Sequence, residues 1–114
     1  MPTVIDYPSD ALHEEFPYLQ ELPSMVKEIV ETLYDKESSY QGSWKKRGGI
    51  GAFMMLARKW DRIEAMAEDS DYDIFSLLIE NNGNIKDDVD DLIAYLLLCR
   101  AYQRMRERKQ RGTV

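Results

Sequence analysis

An all-α fold is what this 114-residue chain predicts, and three observations predict it. Apolar residues recur at i, i+3, i+4 and i+7 in several segments, no stretch of useful length alternates apolar with polar, and capping or breaking residues separate the segments. About four main helices follow, packed as a bundle in one domain over residues 1–114, with an N-terminal arm over 1–23 and a basic helix end or tail over 100–114. The 44% hydrophobic content supports a core. A chain this short buries a modest share of its surface by itself, so completion by oligomerisation is expected.

Pro2 and Pro8 make the first residues an irregular lead-in. Ser9 or Asp10 then caps a short helix through Phe16, which Pro17 ends. Ser24 precedes the first long helix, where Val26, Ile29, Val30 and Leu33 share one face and the end falls between Lys36 and Ser39. A second long helix runs from about Gly51 to Glu68, apolar nearly all round from Phe53 to Ala57, which suits a bundle centre or a subunit contact. Asp69-Ser70-Asp71 caps a shorter helix over Tyr72 to Glu80 that buries Ile74, Leu77 and Leu78. Asn81-Asn82-Gly83-Asn84 closes it with residues that tolerate left-handed backbone angles. The last helix begins near Ile85 and extends toward Arg108, with Val89, Leu92, Ile93, Leu96 and Leu97 as its buried stripe.

Between the first two long helices lies Ser38 to Gly51, the one long stretch without helical periodicity. It holds Tyr40 and Trp44, the consecutive cations Lys45, Lys46 and Arg47, and four glycines. Glycines admit a ligand close to the backbone, cations neutralise phosphate and aromatic rings stack on bases, so a nucleotide-holding loop is one reading. A solvated connection is the other, because the stretch lacks the spacing of a phosphate-binding loop or a dinucleotide fingerprint.

Charge narrows the function classes. The formal net charge of −6 divides into +5 over residues 100–114, six cations against Glu107, and hence −11 over residues 1–99. An acidic body repels nucleic-acid backbones, so nucleic acid is not the expected partner, and the basic tail reads as a solvated helix end that suits the helix dipole. No apolar run reaches the length of a membrane span and the N-terminus lacks the regions of a signal peptide, so a cytoplasmic location and no membrane partner are expected. Cys99 is a lone thiol on an apolar helix, and His13 is the only histidine, which argues against a histidine-based zinc site.

Four carboxylates, Asp87, Asp88, Asp90 and Asp91, open the last helix, with Asp88, Asp91 and Tyr95 on one stripe. Acids in a first turn complement the helix dipole, whereas so many beside an apolar face also suit a divalent cation. The second long helix carries Asp61 and Glu64 in an Asp-x-x-Glu spacing, next to Arg58 and Arg62, a pattern that equally describes a solvated face laced with ion pairs. If the two helices pack antiparallel, Asp61, Glu64, Asp88 and Asp91 share one groove. Oxygen ligands of this kind suit Mg²⁺ first and Mn²⁺ second.

Over roughly Met25 to Leu98 the chain resembles the MazG-like all-α nucleoside triphosphate pyrophosphohydrolases. Trp60-Asp61-Arg62-Ile63-Glu64 matches their Glu-Glu-x-x-Glu motif with Trp60 in the first Glu position, and Asp88-Val89-Asp90-Asp91 matches Glu-x-x-Asp before an apolar helix. The Tyr-Gln-Gly-Ser-Trp and Lys-Trp-Asp-Arg-Ile segments are similar to a phage branch associated with nucleotide modification. The resemblance implies Mg²⁺ held by Asp61, Glu64, Asp88 and Asp91, and Glu64 as the catalytic carboxylate that orients or deprotonates the attacking water. Lys59, Arg62, Lys45, Lys46 and Arg47 would face the phosphates, and Tyr40, Trp44 and Tyr95 the base or sugar. The products would be a nucleoside monophosphate and pyrophosphate, and the family implies a homodimer or homotetramer. The alternative from another class is a non-catalytic helical module that binds protein or nucleotide, with the Met-rich second helix docking a partner and the acids meeting a basic surface.

Overall fold

Prolines set the first boundaries. In a computed structural model, which describes residues 10–80 and 84–112, helix α1 spans Asp10–Glu15, a 3-10 turn follows over Pro17–Glu21, and α2 spans Leu22–Tyr40. Pro23 lies in the first turn of α2, where its missing N–H is no loss, so the helix begins before Ser24 rather than after it. Ser24 Oγ instead donates to the Glu21 carbonyl at 3.2 Å. At the other end Gln41 takes a left-handed φ of 51° and its N–H donates to the Glu37 carbonyl at 2.8 Å, which satisfies one of the last carbonyls of α2.

The stretch expected to be an extended loop is shorter and more ordered than its composition suggests. A 3-10 turn covers Ser43–Lys45 and α3 begins at Gly48, three residues ahead of the expected Gly51, to end at Glu68. Gly42 and Gly48, at φ of 77° and 74°, supply the two left-handed turns that reverse the chain here. Asp73, not Asp69 or Asp71, caps the short helix α4 over Ile74–Glu80: its Oδ1 accepts from the Phe75 and Ser76 N–H groups at 3.0 and 3.2 Å. The hydrogen bonds from Ser76, backbone then side chain, hold the Asp73 carboxyl below its usual range. Helix α5 is the longest element, Asn84–Gln110. The turn expected over Asn81, Asn82 and Gly83, and the lead-in through Pro2, Pro8 and Ser9, lie outside the described residues.

The fold is all-α, as expected, with α3 and α5 as its central antiparallel pair. Ile63 of α3, Leu77 of α4 and Ile85 of α5 form the core, with Met66, Ala67, Leu78, Val89 and Leu92 around it. Helix α2 lies along α5 and buries Ile29 alone among its residues. Trp44 anchors the 3-10 turn against the far half of α5, edge-on to Tyr102 with ring centroids 5.9 Å apart.

Several expected core stripes are displaced. Val26 remains half exposed on α2, and Ile74 is exposed on α4. On α5 the buried side runs through Ile85 and Asp88 to the half-buried Leu92, Tyr95 and Tyr102, while Ile93, Leu96 and Leu97 stand at the surface. The helix is thus turned so that Asp88 and Asp91 face its neighbours beside Val89 and Leu92. No helix among the described residues is long and apolar enough to cross a membrane.

Candidate functional site

Helix rotation decides which charges meet. Ile63 is 6% exposed and fixes the side of α3 that faces α5. Lys59 lies about 40° to one side of Ile63 and Arg62 about 100° to that same side, whereas Glu64 lies about 100° to the opposite side and Asp61 about 160° away. Lys59 Nζ accordingly meets Asp91 Oδ2 at 3.0 Å and Arg62 Nη2 meets Asp88 Oδ1 at 3.4 Å. A Lys-x-x-Arg pair on α3 is therefore matched in antiparallel register by the Asp-x-x-Asp pair on α5.

Asp91 is clamped from both sides, since Lys36 Nζ of α2 reaches its Oδ1 at 3.0 Å. Burial pushes its carboxyl up, but the hydrogen bonds from Lys59 and Lys36 and their charges outweigh burial, and the net shift is downward. The hydrogen bond to Asp91 raises Lys36 in turn, against a smaller opposing effect of burial. Asp88 is 3% exposed, and its Oδ2 is buried without a hydrogen-bond partner.

The expected four-carboxylate metal group does not form. Asp61 and Glu64 are exposed on α3 away from Asp88 and Asp91, and among the described residues no three His, Cys, Asp or Glu side chains are placed to hold a metal ion. Asp88 and Asp91 of α5 face cations because α3 presents Lys59 and Arg62 to them. Trp60, in the motif's first position, is exposed as well.

The aromatic residues of the expected nucleotide loop have other surroundings. Trp44 is buried, and Lys45 and Arg106 lie over the Tyr102 ring at 5.7 and 5.8 Å from its centroid. Tyr40, Trp44 and Tyr95 do share the wall of one cavity, but its volume of about 40 Å³ is too small for a nucleobase. Lys46 and Arg47 are exposed.

A larger groove, of about 420 Å³, opens between α2 and α5. Glu28, Thr32 and Lys36 line it from α2 at i, i+4 and i+8, a one-face spacing that was legible in the sequence but carries no family motif. Asp87, Asp90 and Asp91 line it from α5. Four carboxylates against one lysine leave these walls with a net charge of −3. Burial, then the neighbouring Asp87, Asp91 and Glu28 charges, push the Asp90 carboxyl up. The groove is thus acidic, open and of ligand size, and the Asp90 carboxyl is raised within it.

No protein-family model, curated protein or solved structure matches the chain.

Proposed function

We propose that the chain is a nucleoside triphosphate pyrophosphohydrolase whose reactive groove lies between α2 and α5 and not at the Asp61–Glu64 motif. One observation carries the reading: Glu28, Asp87, Asp90 and Asp91 line a 420 Å³ groove that also holds Lys36, next to Lys59 on Asp91. A resemblance to MazG-like enzymes over residues 25–98 adds the reaction class. Water attacks the α-phosphorus, a new P–O bond forms, and the bond to the α,β-bridging oxygen breaks to release pyrophosphate. Asp90, with its raised carboxyl, takes the proton from that water, while Lys36 and Lys59 carry the positive charge nearest the phosphates.

Dependence on Mg²⁺, or Mn²⁺ in its place, belongs to this proposal, and the oxygen donors of the groove are of the right type. Their placement is not that of a metal-holding group, so no residue is assigned as a ligand and no step is drawn through the cation.

Pyrophosphate release from a panel of ribo- and deoxynucleoside triphosphates, with each metal in turn, tests the reading. Turnover that Asp90→Asn lowers at least ~100-fold supports it. Absence of turnover on every nucleotide by folded protein overturns it. The outcome would then favour a non-catalytic helical module, a reading supported by Asp91, whose two oxygens are both taken by lysines, and by an apolar groove that Leu33 and Tyr34 of α2 form with Leu97 and Leu98 of α5.

A further inference from the structure

Charge in this chain is segregated as well as unbalanced. Residues 45–47 and 100–114 carry +3 and +5, which leaves −14 on the remainder. The two basic groups are far apart in the chain, and the fold sets them side by side.

Tyr102 of α5 is the joint between them. Trp44 of the 3-10 turn packs edge-on to its ring, Lys45 Nζ stands 5.7 Å from the ring centroid and the Arg106 guanidinium carbon 5.8 Å. Lys45 reaches the ring by folding back over Gly42, where a Cβ would lie 3.3 Å from its Cε. Arg106 and Lys109 follow Tyr102 at i+4 and i+7 and so share its side of the helix. Lys46 and Arg47 continue the turn and are exposed. Among the described residues none of these five cations is in an ion pair with an acid, although the acids of the chain outnumber its bases 21 to 15. A cation cluster left unneutralised in an acidic chain is a surface for an external anion.

Two further observations choose the anion. Tyr40, 60% exposed, lines the same small cavity as Trp44, so a ring open to stacking stands beside the cations. The exposed apolar residues that follow Arg47, Ile50 and Phe53, face elsewhere. Met55 lines that cavity with Trp44, and Ile50 and Phe53 lie about 140° and 160° round α3 from it. A bilayer that took up Ile50 and Phe53 would turn away from Arg106 and Lys109. A duplex would bring its second row of phosphates against the acidic body, whereas a single strand can follow the cations alone.

We infer that Lys45, Lys46 and Arg47 of the turn and Arg106 and Lys109 of α5 form one surface for the phosphate backbone of single-stranded nucleic acid, with Tyr40 stacked on a base. None of these residues lines the acidic groove between α2 and α5. The inference does not depend on the hydrolase reading, because its test measures binding and not turnover.

Fluorescence anisotropy of a labelled, mixed-sequence oligonucleotide of about ten nucleotides, titrated with the full chain, tests it. The expected dissociation constant is on the order of 1–100 µM at 0.1 M salt, and log K should fall against log salt with a slope of about −2 to −3.5, for three to five phosphates at about −0.7 each. Lys46→Glu and Lys109→Glu, both at exposed positions, should each weaken binding about fivefold and flatten the slope by about 0.7. Arg58→Glu, the same charge change at an exposed position on α3, should leave affinity within about twofold. Tyr40→Leu should weaken binding about fivefold with the slope unchanged. Absence of binding at about 1 mM chain in 0.05 M salt overturns the inference. So does a loss on Lys109→Glu that Lys46→Glu does not share, which would leave the helix end alone, or an equal loss on Arg58→Glu, which would leave only net charge. Inorganic polyphosphate, a duplex of the same sequence or phosphatidylserine vesicles, if bound more tightly than the strand, would overturn the assignment of the partner.

Discussion

The two sides of α5 carry the same kind of residue and treat it in opposite ways. Toward α3, Asp88 and Asp91 are drawn into ion pairs with Arg62 and Lys59, beside a core of Ile63, Leu77 and Ile85. Toward α2, Asp87 and Asp90 line an open groove with Glu28, and only Lys36 offsets them. A carboxylate that meets a lysine on the facing helix becomes part of the structure. One that meets another carboxylate keeps its charge unsatisfied and available for chemistry. Of the four motif acids, Asp88 and Asp91 are of the first kind, and Asp61 and Glu64 lie exposed on α3.

Removing the clamp should have the largest effect. Asp91→Ala leaves Lys36 and Lys59 facing each other, and Lys59 is only 22% exposed, so stability should fall by about 2 kcal/mol, read as a lower urea midpoint. The pH dependence has a definite sign. Asp91 is shifted down from 3.8, so its contribution is present above that value and lost as pH falls through the lower folded one. Lys36 is shifted up from 10.5, so its share is present below 10.5 and lost as pH rises through the higher folded value. An unfolding midpoint that Asp91→Ala leaves in place would show the clamp to be incidental.

Asp88 should behave differently despite its deeper burial. One of its oxygens is unpartnered and its ion pair reaches an arginine that is 62% exposed. Asp88→Leu should therefore hold stability or raise it by about 1 kcal/mol in thermal melts at neutral pH. A loss greater than that of Asp91→Ala would reverse the ranking of the two acids and point to an unrecorded partner for Oδ2.

On the open side the direction inverts again. The folded state raises the Asp90 carboxyl, so its ionised form opposes folding above that raised value, and the penalty disappears as pH falls through it toward 3.8. Asp90→Asn should add a few tenths of a kcal/mol at pH 7, discounted for exposure, with the gain vanishing in acid. Chemical denaturation at both pH values reads this out. Smallest of all, Asp61→Asn and Glu64→Gln should change stability by less than about 0.5 kcal/mol, since both lie exposed on α3. They should also leave pyrophosphate release in place, and its loss in either variant would return the reactive site to the motif.

What was legible in the residues was mostly local. Helical spacing located α2 to α5, and Pro17, Pro23 and the Asp-rich break before α4 marked boundaries to within a few positions. The glycine-rich stretch misled because glycine is read as a loop former, yet Gly48, Gly49 and Gly51 lie in α3, where helix propagation outweighs a per-residue cost of about 1 kcal/mol. Asp73 as the cap of α4 could not be told from its neighbours, since Asp69, Ser70 and Asp71 are all capable of the same hydrogen bonds.

The sequence by itself determined an all-helical chain with acids at the start of its last helix and cations at the end, because periodicity and charge order are properties of neighbours along the chain. Only the tertiary structure decided which of those acids are spent in ion pairs and which face the open groove. That choice depends on the rotation of each helix about its axis. At 100° per residue, the Asp61–Glu64 pair lies two positions, about 200°, round α3 from the Lys59–Arg62 pair, and packing of Ile63 against Leu77 and Ile85 selects between them.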